Sequence, residues 1–123
     1  MGKPDPEREK GRCTFCRIIN GELRSQIVYQ DTDATAFRDI HPAAPTHILI
    51  VPNLHIASVN DVQPINEELI GHLLSVARNL AIQEGIDRSG YRLIINTGPH
   101  ANQTIHHLHV HLIGGQPVRY PMG

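Results

Sequence analysis

The clearest helical periodicity lies between Asn66 and Glu84. Leu69, Leu73, Val76, Ala77 and Leu80 recur at intervals of three and four, which puts them on one stripe of a helix. Asn66 offers an N-cap, Glu67 and Glu68 suit the positive end, and Gly85 supplies a stop. Elsewhere the patterns are shorter. Gln26 to Tyr29 (QIVY) and Ala34 to Arg38 (ATAFR) read as two strands of a hairpin across the turn-like Gln30-Asp31-Thr32-Asp33. Thr46 to Val51 (THILIV) is apolar without alternation, as in a strand covered on both faces, and Pro52 closes it. Tyr91 to Asn96 (YRLIIN) and Thr104 to Ile113 are two further strands, ended by Gly98-Pro99 and Gly114-Gly115. Thr14 to Asn20, with Phe15, Ile18 and Ile19, predicts a short helix stopped by Gly21. The order predicts an α+β fold: a mainly antiparallel five-stranded sheet carrying one long and one short helix.

The last strand has a second pattern inside it. Successive strand residues face opposite ways, so His107, His109 and His111 share one face while Leu108, Val110 and Leu112 share the core face. His106 points away from the row. Neighbouring triad members start about 7 Å apart and the outer two about 13 Å apart, too far for one metal ion to hold all three. A neutral imidazole is a nucleophile near pH 7, and flanking imidazoles donate protons to phosphate oxygens. Asn102-Gln103-Thr104 just upstream brings amides and a hydroxyl to an anion. Phosphoryl or nucleotidyl transfer suits this set; a metal-binding or partly exposed histidine strand is the plainer alternative.

Composition narrows the class. A chain of 123 residues with 40% hydrophobic content suits one core, made mostly of Ile, Leu and Val because Trp is absent. Residues 1–12 carry seven charges and read as a disordered tail, leaving 13–123 as a single domain without repeat or linker. A net charge of -1 makes no global case for nucleic acid or membrane binding. There is no secretory h-region and no apolar run near the roughly 20 residues that span a bilayer, so the expectation is a soluble, cytoplasmic protein. There are nine His, four of them between positions 106 and 111. The two cysteines, Cys13 and Cys16, form a Cys-x-x-Cys; in a reducing compartment that spacing is more often a metal or redox element than a structural disulfide.

The stretch Gln103-Thr104-Ile105-His106-His107-Leu108-His109-Val110-His111-Leu112-Ile113-Gly114-Gly115 resembles the signature of the histidine triad (HIT) family, in which three histidines alternate with apolar residues. Ala36-Phe37-Arg38-Asp39-Ile40, Ala44 to Pro52 and His55-Ile56 resemble that family's nucleoside-binding half, and Tyr91 to Gly98 the strand before the triad. The similarity runs from about Cys13 to Gly115 and is nearest to the histidine triad nucleotide-binding branch. It implies the HIT-like fold and a hydrolase cleaving the P–N bond of adenosine or guanosine 5′-phosphoramidates through a covalent nucleotidyl-histidine.

The resemblance also implies roles. His109 would be the nucleophile, His111 a ligand of the α-phosphate, and Thr104 with Gln103 would sit near the leaving group. His47 would support the nucleophile from behind, and His107 would be either a further catalytic support or a zinc ligand. Asp39 would hold the ribose hydroxyls, Phe37 and Ile40 would line the base pocket, and Asn96 and Asn102 would lie near the phosphate or ribose. Asn102 stands where the family usually has Gly, Thr104 replaces the commoner Ser, and Tyr120 stands where a Trp is often found. Members with the same cysteine motif include zinc binders, so Cys13, Cys16, His55 and His107 form the implied ligand set of a structural zinc not required for catalysis. The implied assembly is a homodimer paired through the long helix and an edge strand. Three other readings share these residues: a dinucleoside polyphosphate hydrolase, a nucleotide-binding regulatory protein with incidental turnover, and a zinc metallohydrolase using His107 and His109.

Overall fold

A computed structural model describes residues 13–119. The readings made for residues 1–12 and for Tyr120 lie outside the described residues. The expected hairpin is present as β1 (Ile27–Gln30) and β2 (Ala34–Arg38). Its turn is closed by Asp31, whose Oδ1 accepts the N–H groups of Asp33 and Ala34, both at 2.7 Å. This is the local self-bonding that makes Asp a turn residue. β3 (Thr46–Pro52), β4 (Tyr91–Ile94) and β5 (Val110–Gly114) complete an antiparallel sheet in the order β1-β2-β3-β5-β4. β3 lies in the middle and is buried along its whole length, as its unbroken apolar run requires.

The two faces of the sheet differ. Ala34, Ala36, Ile48, Ile50, Val110 and Leu112 point to one face, where α2 (Glu67–Gln83) covers them with Leu73, Val76, Ala77 and Leu80. Truncating a side chain as enclosed as Leu112 (0% exposed) would cost about 2–5 kcal/mol. The opposite face is only partly roofed, by α1 (Thr14–Ile19), whose Phe15 and Ile18 pack with Phe37, Leu49 and Val51. The rest of that face carries His47, His109 and His111. α2 stops as expected at Gly85, which takes φ +73° while Ile86 N–H bonds Ala81 O and Gly85 N–H bonds Ile82 O.

Three expectations need correction. Asn66 does not cap α2 with its side chain: it ends a 3-10 turn, Pro64–Asn66, and its Oδ1 accepts the Gln63 N–H at 2.9 Å. Strand β5 starts at Val110, not at Thr104. The register Ile50↔Val110 would bring Leu108 opposite Pro52, which has no N–H to give. The Pro52 carbonyl is occupied by the His107 ring at 2.8 Å, and Leu108 N–H turns instead to Ile56 O at 2.7 Å. β4 ends at Ile94, not Asn96, because its last partner is His111 and the partner strand gives out one residue later. The alternation of faces nevertheless persists through the non-strand part. Leu108 (2% exposed) still joins the α2 core, while His107 packs against Phe15 on the other face. His106 is exposed, as expected.

Candidate active site

The half-roofed face gathers two groups of histidines. The first holds Asp39, His47 and His111, whose donor atoms all lie within 4.8 Å of one another. His47 is carried by β3 and paired with Ile113 of β5; His111 lies diagonally beside it. The Ala43 N–H, on the proline-bounded loop before β3, donates to His47 Nδ1 at 3.0 Å. That assigns the proton of a neutral His47 to Nε2, which lies 2.9 Å from His111 Nδ1 and 3.5 Å from Asp39 Oδ2. His47 Nε2–H therefore donates to His111 Nδ1, and His111 keeps its own proton on Nε2. The chain of donors runs in one direction: Ala43 N–H, His47, His111. Asp39 Oδ1 is held by the His41 N–H at 2.8 Å.

His109 stands between the two groups, with ring centroids 4.9 Å from His111 and 5.1 Å from Phe15. Its Nδ1–H donates to the His107 carbonyl at 2.7 Å, which leaves the lone pair on Nε2. Burial lowers its pKa, against the opposing pull of the His107 carbonyl and the Asp39 charge. Burial likewise lowers His47, with Asp39 opposing, and pushes His111 down to about 4, helped by the neighbouring His109 and His47. Burial thus favours the neutral form of all three rings.

The second group is Cys13, Cys16, His55 and His107, again with all donor atoms within 4.8 Å. His107 Nδ1 lies 3.2 Å from Cys13 Sγ, 3.5 Å from Cys16 Sγ and 3.2 Å from His55 Nδ1; Cys16 Sγ to His55 Nδ1 is 3.3 Å. Ligands of a tetrahedral zinc, with bonds of about 2.0–2.3 Å, stand about 3.3–3.8 Å apart. The His107 ring donates Nε2–H to Pro52 O, so Nδ1 offers its lone pair inward. Burial pushes the His107 pKa down to about 4, against the Pro52 bond, and keeps that lone pair free. Two soft sulfurs and two imidazoles, pre-gathered at these distances, fit a structural zinc.

The other expected residues are distributed around these groups. Gln103 is buried with its amide fully engaged: Oε1 accepts Gly98 N–H, and Nε2 donates to Ala57 O and Ile105 O at 2.8 and 3.2 Å. Its side chain clamps the loop to the segment at Ala57. Phe37 is 3% exposed and meets Phe15 edge-on at 5.3 Å, so it offers a ligand little surface. Ile40 is 81% exposed, Thr104 and Asn102 are exposed, and Asn96 is half-buried. Asn102 adopts φ +61°, the left-handed conformation that Asn tolerates best after Gly, so the loop keeps the turn that a Gly would make there. Sequence reasoning missed three contributors: the Phe15 ring, the Ala43 N–H and the Pro52 carbonyl. Phe15 had one signal, its place between the two cysteines; the backbone groups had none.

Fold and geometry together define an α+β domain with one face of its sheet built around histidine. A family profile described as "Scavenger mRNA decapping enzyme C-term binding" matches residues 12–118. The purine nucleoside phosphoramidase of Escherichia coli K12 is 54% identical over 104 residues, covering 85% of this chain and 87% of its own. A 14 kDa zinc-binding protein of Zea mays is 44% identical over 111 residues, covering 89% and 86%. The crystal structure of a HIT family hydrolase from Legionella pneumophila superposes with a TM-score of 0.88 at 44% identity, covering 91% of this chain and 100% of that one. The chain belongs to the histidine triad family, and it is a hydrolase. Among the described residues no helix is long and apolar enough to cross a membrane.

Proposed function

We propose that the protein hydrolyses the P–N bond of purine nucleoside 5′-phosphoramidates, with His109 as the nucleophile. The observation that carries this is the 2.7 Å bond from His109 Nδ1–H to the His107 carbonyl, which reserves the Nε2 lone pair for attack. Nε2 attacks the α-phosphorus and the P–N bond breaks, leaving a nucleotidyl-imidazolium. The departing nitrogen takes a proton from a water, while His111 Nε2–H donates a hydrogen bond to a phosphate oxygen. The hydroxide left by that water then attacks the phosphorus, the P–N bond to His109 breaks, and the nucleoside monophosphate leaves. His47 holds the His111 tautomer throughout. Asp39 takes the ribose hydroxyls on the oxygen not occupied by His41. Ile40, Asn96, Asn102 and Thr104 stand at the rim as contacts for base, ribose and phosphate, and Phe37 supports the base pocket from below.

Cys13, Cys16, His55 and His107 would hold zinc. With four protein ligands the ion would supply a cross-link between the N-terminal turn and the triad segment. The homodimer belongs to the same reading: β4 is an edge strand, and Leu74, Ile82 and Leu93 are apolar and exposed on α2 and β4. Light scattering tests it.

The function is tested by incubating the protein with adenosine 5′-phosphoramidate and, separately, with a diadenosine polyphosphate. Wild type should turn over the phosphoramidate faster and yield a trappable adenylylated protein. His109→Ala should lose at least about 10³-fold in kcat and trap nothing. Preference for the polyphosphate would assign the other branch; His109→Ala with normal turnover would remove the nucleophile.

A further inference from the structure

One residue joins the cysteine-bearing group to His109. The His107 ring faces Cys13 Sγ at 3.2 Å, and its main-chain oxygen receives the His109 Nδ1–H at 2.7 Å. Phe15 makes a second link. It is 3% exposed, lies between Cys13 and Cys16 in sequence, and sets its ring edge-on to His107 (5.9 Å, 69°) and to His109 (5.1 Å, 85°). The turn that carries it is fastened to Cys13: Cys16 N–H donates to Cys13 Sγ at 3.4 Å and Arg17 N–H to Cys13 O at 3.0 Å.

An imidazole turns about two soft torsions, and one hydrogen bond fixes only one edge of it. A wall against the ring face or edge is what prevents rotation that would present Nδ1 in place of Nε2. We propose that Phe15 is a positioning residue for His109, and that the Cys13–Cys16–His55–His107 cluster, when closed by zinc, sets the orientation of that ring through Phe15 and the His107 carbonyl. The ion takes no part in bond making; it stiffens the frame from which the ring hangs. The kinetic consequence rests on His109 being the nucleophile, whereas the orientation itself does not.

The test uses the full chain as purified with zinc, read by metal content, by nitrogen NMR of the histidine rings and by steady-state kinetics on adenosine 5′-phosphoramidate. Phe15→Leu keeps an apolar side chain but removes the ring edge. It should retain stoichiometric zinc, change His109 from a single Nδ1–H tautomer to a mixture, and lower kcat about tenfold with KM within about twofold, since misplacing a reacting group by about 1 Å can cost about 10²-fold. Zinc-stripped wild type should show the same His109 mixture, reversed on adding zinc. Ile18→Val, in the same helix and apolar cluster, should match wild type in every reading. If Phe15→Leu does not fold, Phe15→Met takes its place with the same expectation. An unchanged His109 signal and kcat in the Phe15 variant overturns the proposal. So does a stripped protein whose His109 signal stays single, or a folded protein that takes up no zinc. Should His109→Ala keep its turnover, the nucleophile reading fails, while the His109 ring signal still decides the coupling.

Discussion

Two histidines on the same face of one sheet, His47 and His107, are set to opposite uses by one bond each. His107 donates its outer nitrogen's proton to a carbonyl, Pro52 O, so its inner nitrogen carries a lone pair toward two sulfurs. His47 accepts a hydrogen bond at its outer nitrogen, from Ala43 N–H, so its inner nitrogen carries an N–H toward another imidazole. The first arrangement is what a metal ligand needs. The second is what a proton relay needs, and it makes Asp39, His47 and His111 a poor metal site despite their proximity, because His47 Nε2 is already protonated. A cluster of ligand-type residues is therefore not enough to name a metal centre. The backbone group behind each ring decides.

The sharpest way to break this contrast is at His111. His111→Ala should reduce kcat by about 10²–10³-fold while zinc content stays at the wild-type level, measured by turnover and metal analysis. Loss of zinc in that variant would show that the two groups are not separate in function. His47→Phe comes next. It keeps a ring but removes the donor to His111 Nδ1, so kcat should fall about 10–10²-fold and the His111 ring should show mixed tautomers by NMR. Cys16→Ser should show the reverse profile: zinc lost from the protein, a lower Tm, and a kcat reduced by about tenfold or less.

The smallest effect concerns pH. His111 has a folded-state pKa of about 4 because of burial, below the ordinary histidine value near 6.5. Between those values the unfolded chain binds more protons, so stability is complete above about pH 6.5 and declines as pH falls toward 4. The Tm of wild type should therefore drop over that window, with His107, His109 and His47 contributing in the same direction, and His111→Asn should reduce the slope without abolishing it. An equal slope in both would assign the acid sensitivity elsewhere. Asp31 does not compete in that window. Burial pushes its carboxyl up, but the hydrogen bonds from Tyr29, Asp33, His72 and Ala34 outweigh this and hold it well below the usual range, so its contribution is lost only at lower pH.

Much was legible before any coordinates. The 3.6-residue stripe of α2, the unbroken apolar run of β3 and the alternation through His111 follow from side-chain periodicity, which is a local property of the chain. So does the division of the triad segment, since Leu108, Val110 and Leu112 needed a core and the histidines had to face the other way. The start of β5 was not legible. It depends on Pro52, which is 56 residues upstream of Leu108 in sequence but opposite it in the sheet. Nor could the sequence show that the Gln103 amide is consumed by backbone groups of its own loop and of distant Ala57, or that Phe37 is closed in by Phe15. By itself the sequence determined which residues could do chemistry and on which face they lie. The tertiary structure decided which nitrogen of each imidazole holds the proton, because that is set by carbonyl and amide groups from distant segments whose identity no side-chain pattern encodes.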